Sequence, residues 1–213
     1  MIILSERFKI ILDNLKKCEV FADVGCDHGY IAYKMLELKK CRNAIITDIS
    51  AKCLKKADEL LKKDFDGRYS SFVTDGLKGV PYADEVLIAG MGGEIIVEIL
   101  DNADFLPEKI VLQPMKNSEK VRKTLVEKVY FIERDYTFKA GKFYDIIVAE
   151  KGKDEYREEE YLFGRDNIRE KGEAFKEQTS NKIEKLKTAL KTATEENRED
   201  IEKRLFVLED IIK

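Results

Sequence analysis

Five short stretches of this 213-residue chain hold residues whose types and spacing could do chemistry. The first is Asp23-Val-Gly25-Cys-Asp27-His28-Gly29-Tyr, in which an apolar run ends in an acid and passes through two glycines with Asp27 and His28 between them. Asp48-Ile49 follows a second apolar run, Asp75-Gly76 a third, Gly90-Met91-Gly92-Gly93 a fourth and Gln113-Pro114 a fifth. A glycine turn between a strand and a helix brings backbone N–H groups and the helix dipole close to a ligand. The pattern suits a ligand that contains a nucleotide.

The acids narrow the choice. A dinucleotide fingerprint reads G-x-G-x-x-G, whereas here Asp27 stands where the middle glycine would lie. A carboxylate aimed at a pyrophosphate would repel it, and no G-x-x-x-x-G-K-[ST] loop occurs. A ligand with cationic groups and no phosphate would be drawn to Asp23 and Asp27, and S-adenosylmethionine carries an ammonium and a sulfonium. Asp48 sits where an acid accepts from both ribose hydroxyls, and Asp75 is placed to accept from the adenine amino group. Any one of these acids could equally be the N-cap of the next helix. Three at the ends of three successive strands, the first inside a glycine turn, make that reading weak for the set. A lone histidine such as His28 is more often a packing or capping residue than a catalyst.

The elements that must position these residues follow from periodicity. Ser5 is a candidate N-cap for a first helix with Phe8, Ile11, Leu12 and Leu15 on one face. Apolar runs at 19–23, 43–48, 68–74, 85–89 and 109–113 predict strands, with helices to about Leu38, after Ser50, over 94–100 and from a cap at Ser118 to about Lys128. Runs at 131–138 and 143–150, joined through Gly141, predict an antiparallel edge. Short apolar strands alternating with helices imply an α/β, doubly wound, Rossmann-like sheet, in which ligands bind beyond the carboxyl ends of the strands. All five decorated stretches fall at that end.

Composition changes after Glu150. Residues 151–160 are almost all charged, and Tyr161-Leu-Phe163 is a single apolar anchor. Beyond Gly172, Phe175, Ile183, Leu186, Leu190, Ile201, Leu205, Leu208 and Ile212 recur at heptad-like steps, with Thr194, Glu195 and Glu196 as a cap and acidic first turn. This predicts an α-helical coiled-coil hairpin. The expected division is therefore a cofactor-binding domain over 1–150 and a helical hairpin over 151–213.

The totals exclude several classes. Charged residues make up 38% of the chain, but 39 basic against 42 acidic residues leave no global basic surface, so any nucleic-acid contact is local. The four cysteines are irregularly spaced and there is one histidine, which argues against a zinc site and a disulfide scaffold. Met1-Ile-Ile-Leu is too short for a signal segment, and no apolar run approaches the ~18 residues of a membrane span. The expected location is the cytoplasm.

The order of these acids resembles the class I methyltransferase fold, although the N/D-P-P-Y/F of its DNA and glutamine enzymes is absent after the fourth strand. Taken together, D-V-G-C-D-H-G-Y, T-D, D-G-L, A-G-M-G-G, L-Q-P and K-F-Y-D resemble the bacterial tRNA (adenine-22-N1)-methyltransferase family, the TrmK type, nearly end to end. That resemblance implies S-adenosylmethionine held by Asp23, Gly25, Asp27, His28, Gly29, Asp48, Ile49, Asp75, Gly76 and the loop of Gly90, Met91, Gly92 and Gly93. It implies a target adenine entering near Met91, Gln113 and Pro114, and tRNA as partner. For in-line transfer to N1, Asp27 is the candidate charge stabiliser, and Met91 and Tyr144 are candidate packing partners for the ring, equally readable as core residues; no metal is expected. Where the family continues L-Q-P with Asn, this chain has Met115, and Asn117 lies two residues on. Lys116, Lys120, Arg122 and Lys123 beside the pocket, and Lys182, Lys185, Lys187 and Lys191 on the hairpin, are candidate phosphate contacts, each also readable as a solvated helix face. Arg7 reads either as a partner for the cofactor carboxylate or, more conservatively, as an exposed helix residue. The alternatives are a same-fold enzyme acting on a small molecule or protein, and a non-catalytic RNA-binding module.

Overall fold

The structure, a computed structural model, describes residues 2–213. Met1 of the opening apolar tetrapeptide and the side chain of Glu196 lie outside that description. The chain begins with α1 (Glu6–Asn14), β1 (Cys18–Val24), α2 (Tyr30–Glu37), β2 (Cys41–Asp48), α3 (Ala51–Phe65) and β3 (Tyr69–Val73). It continues through β4 (Glu85–Met91), α4 (Gly93–Asp101), β5 (Lys109–Pro114), α5 (Ser118–Glu127), β6 (Tyr130–Ala140) and β7 (Lys142–Lys151). The last elements are α6 (Glu158–Phe163), α7 (Arg165–Glu170), α8 (Glu173–Leu190) and α9 (Glu195–Ile211).

The seven strands form one sheet in the order β3-β2-β1-β4-β5-β7-β6. The first five are parallel, and β7 runs antiparallel to both β5 and β6. Alternation along each strand feeds two cores. Phe21, Ile46, Leu87 and Val111 face Ile11, Met35 and Leu61 of α1–α3, while Ala22, Ile45, Val86, Ile88 and Ile110 face Ile96, Leu100, Val121 and Leu125 of α4 and α5. Burial on both faces is what makes these strands near-continuous apolar runs. Ser5 caps α1 by accepting from the Phe8 N–H, and Ser50 caps α3 by accepting from the Cys53 N–H.

The structure corrects several expectations. The N-cap of α5 is Asn117, in the left-handed region at φ 57°, not Ser118, whose hydroxyl donates to Asp145 at 2.6 Å. Thr194 has extended cap geometry but no capping hydrogen bond from its side chain. The charged stretch after Glu150 is structural. β6 is an edge strand, and its backbone N–H groups at Ile132, Asp135 and Thr137 donate to the side chains of Asp154, Asp166 and Asn167 at 2.9, 3.0 and 2.8 Å. Side chains from 154–167 thus stand in for an eighth strand and close an edge that would otherwise recruit other chains. Downstream, α8 packs against both β6 and α9, with Phe175, Thr179, Ile183 and Leu205 buried. No helix among the described residues is long and apolar enough to cross a membrane.

Candidate active site

The carboxyl ends of β1–β4 open into a cleft of about 490 Å³. Its walls include Asp23, Gly25, Asp27, His28, Asp48, Ile49, Asp75, Gly76, Gly90 and Met91. The turn after β1 is built for close approach: Gly25 has φ +68° and a Cβ there would overlap the Met91 methyl. The Gly25 and Cys26 N–H groups both donate to the Thr47 carbonyl, at 2.8 and 3.0 Å, which ties the turn to the end of β2. The Thr47 hydroxyl donates in turn to the Gly76 carbonyl at 3.1 Å, so three strand ends are joined by hydrogen bonds.

Four acids hold different positions at this rim. Asp23 is buried, accepts the Ala32 N–H of α2 at 3.3 Å and borders the cleft. Burial raises its carboxyl from the ordinary 3.8 to about 7, with Asp48 adding repulsion and the Ala32 N–H opposing it. Asp48 accepts the Ser50 N–H at 2.7 Å with one oxygen, and the Asp27 N–H lies 3.4 Å from the other. Asp27 stands in the left-handed region at φ 49° and pairs with His28 Nδ1 at 2.7 Å, and the His28 ring stacks on Tyr30. Asp75 is exposed at the end of the cleft. This donor set of carboxylates fits a ligand bearing cations and hydroxyls, and fits a pyrophosphate poorly. Among the described residues, no group of three His, Cys, Asp or Glu side chains is placed to hold a metal ion.

Other expected residues stand outside the cleft wall. Gly29 packs on Ala57 of α3. Gly93 lets the start of α4 pass against the backbone of Lys116 and Asn117, and its N–H donates to the Lys116 carbonyl at 2.9 Å. Gln113 and Pro114 are buried behind the cleft. Gln113 Oε1 accepts from Arg7 Nε at 2.7 Å, while its amide donates to the Pro114 carbonyl at 3.0 Å. The Tyr144 ring lies between Phe138 and the Arg7 guanidinium, whose carbon is 5.3 Å from the ring centre. Asn117 is bonded to Glu94, and Met115 is exposed. Arg7 is thus no exposed helix residue. It is half-buried and lines the cleft, because it precedes Ile11 by one helical turn on the buried stripe of α1.

The basic residues divide as well. Arg122 is 1% exposed and is no phosphate contact: Nε and Nη2 donate to the two Asp135 oxygens at 2.8 and 2.9 Å, and Nη1 to the Tyr161 carbonyl at 3.0 Å. Lys120 pairs with Glu94, Lys123 with Glu119 and Lys187 with Glu209. Lys116, Lys182, Lys185 and Lys191 are exposed.

Comparison with known proteins agrees with this architecture. A relative from Bacillus subtilis, a tRNA (adenine(22)-N(1))-methyltransferase, is 31% identical over 156 residues, which are 70% of this chain and 66% of that protein, just under two thirds of its length. A Streptococcus agalactiae protein of the NADB-Rossmann superfamily superposes with a TM-score of 0.92 at 25% identity, covering 100% of this chain and 98% of that one. M. capricolum TrmK, solved with S-adenosylhomocysteine, superposes with a TM-score of 0.89 at 24% identity over 99% of each chain, which speaks for the fold. A family model for tRNA (adenine(22)-N(1))-methyltransferase matches residues 21–212, which take in the carboxyl ends of all the strands and the C-terminal helices but not α1, and the chain belongs to the TrmK family.

Proposed function

We infer that this protein binds S-adenosylmethionine in the acid-rimmed cleft and methylates N1 of adenine 22 in tRNA. The observation that carries the reading is the family match over 21–212, which spans the strand ends and the C-terminal helices together. The acid-lined rim supports the cofactor assignment independently, because it is complementary to cations. The bound cofactor supplies an electrophilic methyl on a sulfonium. Asp23 and Asp27 favour the positive charge of the donor, Asp48 accepts from the ribose hydroxyls, and Asp75 with Ile49 and Gly76 surrounds the base. Gly25, Gly90 and Met91 shape the floor.

Adenine N1 carries a lone pair and no proton at neutral pH, so these residues need no strong general base. Their work is to hold donor and acceptor at about 3 Å in line and to stabilise the charge that methylation places on the ring. Asp27, an exposed carboxylate in the cleft wall, is assigned the second task. N1 lies on the Watson–Crick edge, so the base leaves its stack to react, entering near Met91, with Gln113 and Pro114 buried behind that part of the cleft. In this reading residues 1–150 supply the donor cleft. Within 151–213, the segment 154–170 closes the sheet edge, and α8–α9 with Lys182, Lys185 and Lys191 supplies a tRNA surface that Lys116 extends toward the cleft. The reaction is placed in the cytoplasm, where tRNA is modified.

Mass spectrometry of nucleosides after incubation of unmodified tRNA with the protein and S-adenosylmethionine tests the proposal. The expected product is 1-methyladenosine, absent when position 22 is guanosine. Absence of methyl from both tRNAs overturns it.

A further inference from the structure

The His28 and Tyr30 rings border two recesses, and only one of them is the cleft. The second recess, of about 260 Å³, is walled by the same two rings and by Lys56, Glu59, Leu60 and Lys63 of α3. The rings are nearly parallel, 9° apart with centres 5.4 Å from each other, and more than a third of each is exposed. Gly29 makes this stack possible. Its left-handed backbone, at φ +68°, turns the chain between the two rings, and a Cβ there would strike Ala57 of α3. An Asp27 oxygen 2.7 Å from Nδ1 holds the imidazole in place. The Tyr33 hydroxyl, one turn further along α2, donates to Asp64, whereas the Tyr30 hydroxyl has no partner among the described residues. The charges of α3 are sorted around the recess. Asp58 accepts from the Tyr69 hydroxyl at 2.9 Å, Asp64 from that of Tyr33 at 2.7 Å, and Glu59 pairs with Lys55 at 4.0 Å. Lys56, Leu60 and Lys63 follow one another at helical spacing, so they share a stripe. Both lysines are exposed there and make no ion pair among the described residues.

We propose that this second recess holds one unpaired nucleotide of the RNA substrate, its base stacked on the His28–Tyr30 pair and its phosphate held by Lys56 and Lys63. This rests on the tRNA assignment above and deepens it. Aromatic faces that stack a base beside cations that hold the backbone are the means by which single-stranded RNA is gripped. The chain as a whole carries no excess of positive charge. A local stripe of unpaired lysines next to open ring faces is therefore where an anionic, flat ligand gains most. The shared wall sets this nucleotide one ring pair away from the donor cleft, so it anchors the strand beside the target base. In the sheet order, α3 connects β2 to β3, whereas Lys116 follows β5. The two contacts thus lie toward opposite sides of the cleft and grip the RNA on both.

The test measures the KM for unmodified tRNA in steady-state methylation and the affinity for S-adenosylhomocysteine by calorimetry, on the same samples of intact protein. Tyr30→Leu removes the ring and is expected to raise the KM for tRNA about tenfold, the loss of one base–aromatic stack. Tyr30→Phe keeps the ring and is expected to match the wild type. Lys56→Gln combined with Lys63→Gln is expected to lower the slope of log tRNA affinity against log salt by about 2, roughly 1 for each phosphate contact. Retained S-adenosylhomocysteine binding shows that each variant is folded. An unchanged KM in Tyr30→Leu, or an unchanged salt slope in the lysine variant, overturns the proposal. So does a rise in KM in Tyr30→Phe equal to that in Tyr30→Leu, because the hydroxyl and not the ring face would then make the contact. A parallel loss of S-adenosylhomocysteine affinity in Tyr30→Leu also overturns it, because the ring would then serve the cofactor. A wild-type protein that transfers no methyl to tRNA sinks the tRNA assignment itself, and that failure is seen before any variant is made.

Discussion

The Arg122 and Asp135 side chains are buried behind β6, and the Asp23 carboxyl is buried at the end of β1, yet their surroundings differ in kind. Arg122 meets both oxygens of Asp135, and Asp135 also accepts from Tyr156 at 3.2 Å, so the pair is hydrogen-bonded on all sides. Asp23 has a single N–H at 3.3 Å and a cleft beside it. A buried pair contributes little net stability because desolvation offsets its attraction, but it cannot lose one member cheaply. A buried carboxylate with one weak donor is uncomfortable as it stands and becomes comfortable when a cation arrives. The first arrangement serves the fold, and the second is the one that the proposed cofactor binding would use.

The largest expected effect breaks the structural half of this contrast. Asp135→Ala leaves the Arg122 guanidinium buried against Tyr161 with no carboxylate of its own, and Asp145 at 3.7 Å is a weak substitute. The expected loss is about 3–5 kcal/mol in urea denaturation. The double replacement Arg122→Met with Asp135→Leu is expected to restore most of it. A single replacement that costs less than about 1 kcal/mol would mean that water reaches the pair, and the contrast with Asp23 would disappear.

Asp48→Asn sharpens the other half. Asparagine keeps an oxygen for the Ser50 N–H at the start of α3, so stability should change by less than about 1 kcal/mol. Affinity for S-adenosylhomocysteine should fall by roughly thirtyfold, the ~2 kcal/mol of a charge-assisted hydrogen bond. Calorimetry and a thermal melt on the same sample read the two numbers. Unchanged affinity would remove Asp48 from the cofactor site.

The contrast also explains what was legible in the chain. Asp23, Asp48 and Asp75 could be read because each ends an apolar run, and a parallel sheet brings those ends together whatever the rest of the fold does. Arg122 misled because K-V-R-K looks like a solvated helix face. Its place between Val121 and Leu125 marks it as inward, but its partner lies in an edge strand whose covering by 154–167 cannot be deduced from local periodicity. Arg7 was half legible, since its spacing to Ile11 puts it on the buried stripe of α1, whereas its contact with Gln113 spans the sheet. Gly93 was read as part of a ligand loop, and its tight contact turns out to be the Asn117 backbone, a packing constraint that no motif announces.

The smallest expected effect concerns the ionisation of Asp23. Its carboxyl titrates at about 7 in the folded protein against an ordinary 3.8, so between those values the unfolded chain releases the proton first. Without ligand, Asp23 therefore favours the folded state fully below about pH 4, and this contribution is lost as pH rises through 7. Stability alone cannot isolate it, because burial also raises Glu85 to about 7 at the opposite end of β4, where it accepts the Lys16 N–H. Cofactor affinity can, since Glu85 is remote from the cleft. A cationic ligand prefers the ionised carboxyl, so affinity should rise with pH between 6 and 8, by about tenfold overall for a group centred near 7, with a proton released on binding. Asp48, Asp27 and the neutral Cys26 thiol, which burial pushes upward, face the same space. His28→Asn is expected to keep the slope and Asp23→Asn to flatten it. A slope that survives Asp23→Asn would show that the carboxyl at the end of β1 is stabilised by the fold after all, like Asp135, and that the cation is recognised by the exposed Asp27 instead.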